Sequence, residues 1–339
     1  MALHRGATRP RRLVTTPPVT LDVRLDADAM RAALERDAAA GLLATPKSLP
    51  PVWFYDDVGS DLFDQITRLD AYYPTRAERC LLEARAAEIA VATKAETLVE
   101  LGAGTCTKTR VLLDAFAAAG TLRHYVAVDV AESTLVAATH EIASEYPDLR
   151  VTATVADFQR LEGLFERGGP TLVAFLGGTI GNFEPQARER FLVGLDAELD
   201  HVDTFLLGTD LLKDRRRLVG AYDDDDGVTA AFNRNVLRVL NRELGADFDV
   251  DSFEHVALFD EDHQWIEMRL RATRPQHVVI PGLGIEISFD QGEEMRTEVS
   301  AKFTPDGIRL ELERGGFVVD GQFGAEEGEF LLTLSHPYC

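Results

Sequence analysis

Glu100, Gly102, Gly104 and Lys108 lie together in the stretch TLVELGAGTCTKT (97–109), and a second carboxylate, Asp129, closes the run YVAVDV (125–130). Glycines directly after an apolar strand let the backbone turn sharply and approach a ligand closely. A carboxylate at the end of the next strand accepts hydrogen bonds from ribose hydroxyls. This is the chemistry of a nucleoside cofactor grip. A dinucleotide fingerprint calls for a third glycine at 107, where the chain carries Thr107. Glu100 before the loop suits the methionine part of S-adenosylmethionine, which is therefore the expected cofactor. A helix N-cap is the alternative use of Asp129.

Asp157 and Phe158 follow a third strand candidate and offer a carboxylate and a ring to the amine and face of adenine; a turn aspartate beside a core phenylalanine is the structural alternative. FLGGTIGNF (175–183) leaves room above a fourth strand at Gly177, Gly178 and Gly181, and presents the Asn182 amide where a substrate carboxylate or amine would sit. Trp53, Phe54, Tyr55, Phe63, Tyr72 and Tyr73 crowd residues 52–76. Aromatics this dense fill cores, and some of these are expected to face a ligand. Asp223–Asp226 lacks the spacing of a calcium loop, and His263 with Glu267 lacks a third metal ligand. No metal site is expected. Cys106 reads as a small filler, and no Ser/His/Asp or Cys/His arrangement stands out.

The elements that must position these groups alternate. Strands are expected at Thr97–Leu101, Tyr125–Val130, Val151–Val155, Leu172–Leu176 and Thr204–Leu207, with helices between them. One such helix, opening near Thr107, carries an apolar stripe over Lys108–Ala119. Five units of this kind predict a parallel, doubly wound α/β sheet. After Asp210 the rhythm changes to a long helix at Val228–Leu244 and β-like runs at His255–Phe259, Trp265–Thr273, His277–Ile280 and Ile285–Phe289, as expected of an inserted α+β domain. Thr304-Pro305-Asp306 starts another helix, Gly315-Gly316 ends it, and strands at Phe317–Phe323 and Phe330–Ser335 form a hairpin. A terminal antiparallel hairpin is how class I (Rossmann-like) methyltransferases finish their sheet. An oxidoreductase of this fold would continue with parallel units.

The expected organisation is a disordered leader over 1–23, a substrate-binding domain built from 24–75 and 213–302, and a methyltransferase domain built from 76–212 and 303–339. The net charge of −22 argues against a nucleic-acid partner, because no broad basic surface is available to neutralise phosphates. No apolar run approaches the length of a membrane span, and residues 1–20 have arginines and prolines but no apolar signal core. Cys80, Cys106 and Cys339 stand at unrelated spacings, which points to a reducing, cytoplasmic setting.

Several segments together resemble the actinobacterial L-histidine Nα-methyltransferases of ergothioneine biosynthesis. They are TPKSLPPVWFYDDVGSDLFDQITRL, YYPTR, TLVELGAGT with Lys108, FLGGTIGN, LLGTDLLKD, AYDDDDGVTAAFNRNVL and GEEMRTEVSAKF. The likeness covers roughly residues 25 to 320, and the loop departs from the family in having Ala103 and Cys106 where serines are expected. The resemblance implies cofactor contacts at Gly102, Lys108, Asp129, Asp157 and Phe158, and histidine contacts at Tyr72, Asn182, Tyr222, Glu298 and Ser300. It places Tyr55, Phe63, Thr179 and Met268 in the wall of the site, where Tyr55 or a water is the candidate to accept the amine's proton or hold the partly methylated amine in line. It further implies action on L-histidine to give hercynine, and a monomer is expected. An N-methyltransferase for tryptophan and a non-catalytic nucleoside-binding module are the rival readings. Glu298 and Met268 discriminate against the first, since an indole offers one donor and needs more room.

Overall fold

In the computed structural model, residues 19–165, 169–324 and 328–338 are described. The N-terminal segment gives β1 (Thr20–Val23), α1 (Ala27–Leu42), β2 (Lys47–Ser48), α2 (Asp57–Ile66) and α3 (Pro74–Thr93). Alternation follows through β3 (Thr97–Leu101), α4 (Thr109–Ala119), β4 (His124–Asp129), α5 (Glu132–Glu145), β5 (Arg150–Val155), β6 (Thr171–Phe175), α6 (Pro185–Glu198) and β7 (Thr204–Asp210). Next come α7 (Arg215–Gly220), α8 (Val228–Leu244), β8 (Phe253–Asp260), β9 (Trp265–Ala272), β10 (Gln276–Ile280), β11 (Ile285–Phe289) and β12 (Glu294–Ala301). The chain closes with α9 (Pro305–Arg314), β13 (Phe317–Gly324) and β14 (Phe330–Pro337).

The large sheet has the order β1-β5-β4-β3-β6-β7-β14-β13. Neighbours from β1 to β7 run parallel, and β14 returns antiparallel to β7 with β13 antiparallel to it. The central strands β3 and β6 are almost wholly buried apolar runs, as required of parallel strands covered by helices on both faces. Connections from β3 leave toward β4 on one side and β6 lies on the other, so the carboxyl ends of these strands flank a topological switch point. Ligands bind in the crevice outside such a point.

The second body is a four-stranded sheet, β2-β12-β9-β8, with the β10–β11 hairpin beside it. Leu34, Leu42, Phe54 and Tyr73 share one core with Phe232, Leu240, Met268 and Leu270, so the early segment and the insertion bury their apolar surface against each other. β2 adds parallel to β12 through Lys47 and Ser48.

Two features differ from the sequence reading. β1 lies inside the span expected as a leader: Thr20–Val23 pair with Thr152–Val155. Leu21 and Val23 are exposed, so backbone pairing and not side-chain burial holds this strand, which is why it carried no hydrophobic signal. Residues 1–18 of that leader, and Cys339, lie outside the described residues. α4 begins at Thr109 and not near Thr107, because Cys106 takes a positive φ and the Thr105 and Thr107 hydroxyls bond each other at 2.9 Å. Among the described residues, no helix is long and apolar enough to cross a membrane.

Candidate active site

A long cleft runs over the carboxyl ends of β3, β4, β5 and β6. Glu100, Gly102, Gly104, Lys108, Asp129, Asp157 and Phe158 all line it. Gly102 turns the chain out of β3 with φ +70°, a conformation that side chains rarely adopt. Asp129 Oδ2 accepts the Gly104 N–H at 2.9 Å and Oδ1 accepts that of Ala131 at 3.0 Å. The carboxylate thus pins the glycine loop to the end of β4, and each oxygen keeps a lone pair for a further donor. It does not cap α5, whose N-cap is Ala131. Burial raises the Asp129 pKa against the pull of these backbone donors.

Glu100 is buried, and its Oε2 accepts the Tyr125 hydroxyl at 2.7 Å and that of Thr109. Burial pushes its pKa up to about 7, opposed by these two donors and by Lys108. Cys106 sits between Tyr125 and the loop backbone, and burial pushes its thiol up to about 12, consistent with a filler. Phe158 stands edge-on to Phe175 at 5.3 Å, which fixes its ring over the crevice. Asp157 accepts the Gln159 N–H at 2.9 Å and so shapes the turn after β5.

Beside the cleft lies a smaller cavity. Tyr55, Phe63, Tyr72, Thr179, Asn182, Tyr222, Met268, Glu298 and Ser300 all line it, so every residue implied for the substrate is brought to one place. Tyr55, Phe63, Tyr72, Thr179, Asn182 and Glu298 also line the large cleft. The two spaces therefore share a wall. Tyr55 meets Phe63 edge-on at 5.6 Å, and Phe63 meets Tyr72 at 6.2 Å, forming an aromatic corner at that junction. Trp53, Phe54 and Tyr73 from the same aromatic run are core residues.

Glu298, Ser300 and Met268 face each other across the β12–β9 ladder: Glu298 pairs with Met268 and Ser300 with Ile266. Burial pushes the Glu298 pKa up to about 7, against the opposing influence of Lys302 and a hydrogen bond from Asn182. The Asn182 amide also donates to the Val299 carbonyl at 2.8 Å, tying the turn after β6 to β12. Burial keeps the Tyr55 and Tyr222 hydroxyls protonated well above the usual phenol range.

Sequence reasoning missed three supporting groups. Glu78 is fully buried, pairs with Lys108 and accepts the Gly177 N–H. Lys302 is buried and donates to both Tyr222 and Ser300 at 2.9 Å. Thr229 lines the small cavity from the first turn of α8. Their burial arises from tertiary packing, and nothing in the local pattern marks any of the three. Asp224 of the acidic run accepts the Val228 and Thr229 N–H groups at the start of α8. His263 stacks on Trp265 at 4.5 Å, while Glu267 is taken by Trp265 and Arg269.

A family profile described as "Histidine-specific methyltransferase, SAM-dependent" matches residues 34–337. The chain belongs to this family. The match reaches past the expected limit near residue 320 and takes in the terminal hairpin. Among curated relatives of this methyltransferase, "Histidine N-alpha-methyltransferase" of Mycolicibacterium smegmatis is 53% identical over 92% of this chain and 97% of its own. The protein of the same name from Mycobacterium tuberculosis is 52% identical over 94% and 99%. "Ergothioneine biosynthesis protein 1" of Schizosaccharomyces pombe is 28% identical over 90% of this chain and 42% of its own length. The parallel sheet with its antiparallel hairpin and the family match together give a class I, S-adenosylmethionine-dependent methyltransferase with an α+β insertion.

Proposed function

We propose that this enzyme methylates the α-amine of L-histidine three times, giving hercynine, the first step of ergothioneine biosynthesis. The observation that carries the reading is the shared wall between the cofactor cleft and a small cavity holding the buried carboxylate Glu298. The names of the relatives support the same substrate and pathway.

The cleft fits S-adenosylmethionine. Asp129 offers lone pairs to two ribose hydroxyls, the glycine loop leaves its backbone approachable, and Phe158 presents a fixed ring to a base. Glu100, Gly102, Gly104 and Lys108 would hold the methionine end, and Asp157 the adenine amine. When bound, the cofactor supplies a methyl group on a sulfonium, already a good leaving group.

The protein's contribution is alignment and exclusion of water. Asn182 and Tyr222 orient the substrate carboxylate, which fixes where the α-amine points. Glu298 and Ser300 receive the imidazole, and Met268 and Thr179 limit the space around it. Tyr55 keeps its proton, so its oxygen serves to hold the amine, and the amine proton lost before each transfer passes to water. The faces of Tyr55, Phe63 and Tyr72 stabilise the growing positive charge of the methylated amine. We take residues 24–75 and 213–302 as the substrate-binding unit, sharing one core. Both cavities form within one chain, which supports a monomer, and the cysteine spacing supports a cytoplasmic setting.

The test is incubation with S-adenosylmethionine and a panel of amino acids, read by mass spectrometry. Histidine alone is expected to gain one, two and three methyl groups. Preference for tryptophan would overturn the substrate assignment, and methylation of nothing in the panel would overturn the reaction.

A further inference from the structure

Beneath the substrate cavity lies a buried charge network that the proposed reaction does not itself require. The Lys302 side chain has no solvent exposure. Its ammonium has three N–H donors, and the structure gives each an acceptor: Asp210 Oδ2, the Tyr222 hydroxyl and Ser300 Oγ, all at 2.9 Å. Asp210 at the end of β7 is anchored in turn by the Tyr73 hydroxyl at 2.7 Å and by Lys213. Tyr222 and Ser300 stand 2.8 Å apart, and both line the cavity.

Proton counting gives this arrangement a direction. Two hydroxyls carry two protons, and each oxygen has lone pairs that could otherwise accept from a ligand. We propose that Lys302, anchored by Asp210, is a positioning residue for recognition: it fills one of the two lone pairs on Tyr222 and on Ser300 and so biases both hydroxyls toward donating to the substrate. In the unliganded pair one proton bridges the two oxygens. Bound substrate releases it, because the ammonium already satisfies both.

A wall of donors demands acceptors. The substrate carboxylate is one, and a bare ring nitrogen facing Ser300 is the other, which leaves the ring N–H for Glu298. The cavity therefore favours neutral imidazole in one tautomer. An indole, whose one nitrogen carries a hydrogen, cannot answer Ser300 in this way. An unpaired buried donor is costly, so the selection is energetically significant. This inference rests on the reading of the cavity as a histidine site.

The experiment uses the full-length protein loaded with S-adenosylhomocysteine, with L-histidine and β-(2-thienyl)-L-alanine as probes. The thienyl ring has no nitrogen to answer Ser300 or Glu298. Lys302→Met is expected to weaken histidine binding by about tenfold or more while thienylalanine binding stays within about twofold, since hydrogen bonds involving charged groups have effects of this size. In the native complex, ring-¹⁵N histidine is expected to show one protonated and one bare nitrogen by NMR, and the variant to lose that single pattern. Lys302→Met leaves Asp210 paired with Lys213, and S-adenosylhomocysteine affinity reports folding; where that variant fails to fold, Lys302→Gln keeps a neutral donor toward Asp210 and is read in the same way. An unchanged histidine-to-thienylalanine ratio, or a native complex with both nitrogens protonated, overturns the inference. Failure of the histidine reading itself looks different: the native protein would bind no histidine at all.

Discussion

The carboxylate of Glu78, on α3, accepts the backbone N–H of Gly177 at 2.7 Å across 99 residues of sequence. The same carboxylate pairs with Lys108 at the head of α4. Three segments that line the junction of the two cavities are therefore tied through one fully buried side chain. Gly208 on β7 is needed for this: a Cβ there would stand 2.2 Å from Glu78 Oε1. Glu78→Ala strands an inward-facing amide and leaves Lys108, itself partly exposed in the cleft, without its partner, which costs about 1–3 kcal/mol. Denaturant unfolding should show a loss of that order, with S-adenosylmethionine binding weakened in calorimetry. Gly208→Ala should cost a similar amount, about 1–3 kcal/mol, by displacing the carboxylate. Native stability in both variants would remove Glu78 from this role.

Asp129→Ala takes away the acceptor for Gly104 and Ala131 as well as the proposed ribose contact. The protein should stay folded, because the flanking strand β4 is buried by its apolar residues. Cofactor affinity should fall by about ten- to a hundredfold, the range of one or two charge-assisted hydrogen bonds. Calorimetry with S-adenosylmethionine checks this, and an unchanged dissociation constant would count against the ribose assignment.

The parallel sheet was legible because β3, β4 and β6 are mostly apolar runs, with Glu100 and Asp129 as charged exceptions, separated by helices with one apolar face. The cofactor loop was legible for the same reason, as glycines directly after such a run have few other uses. β1 was not, since its side chains point largely to solvent and its stability comes from pairing with β5. β12 was not singled out as a strand either, although it carries Glu298 and Ser300. Its buried positions include Thr297, Glu298 and Ser300, polar residues that break the apolar alternation which marks a half-buried strand. The resemblance named those residues; their burial and their shared dependence on Lys302 emerged only from tertiary structure. A buried lysine has no local signature.

Glu298→Ala should separate the two cavities functionally. The side chain faces histidine in the proposed complex, and its loss deletes the acceptor for the ring N–H while leaving the glycine loop untouched. Histidine binding should weaken by about 1.5–3 kcal/mol, the contribution of a hydrogen bond to a charged group, with cofactor affinity changed by less than about twofold. Calorimetric titration of each ligand decides it. Equal losses for both would mean that Glu298 acts on the fold and not on the substrate.

Burial holds Glu100 and Glu298 at pKa values of about 7, above the ordinary 4.5. The folded protein thus binds these protons more tightly than the unfolded chain does. The stability they contribute is fully present below pH 4.5 and is lost as pH rises toward 7, where each buried carboxyl must ionise. Asp210 acts in the opposite sense: burial alone would raise its pKa, but Lys302 and Lys213 outweigh burial and hold it below the usual range, so its contribution is lost in acid. A comparison of variants separates these opposing slopes. In ligand-free protein, Glu298→Gln should gain stability relative to the native chain as pH rises from 4.5 to 7, by up to about 3 kcal/mol. Glu100→Gln should behave likewise, less the effect of disturbing its bonds to Thr109 and Tyr125. Thermal melts across that interval provide the check. Parallel curves for native protein and Glu298→Gln would mean that this carboxyl ionises in the fold as readily as in water, and its place as a buried acceptor for the substrate ring would fall with it.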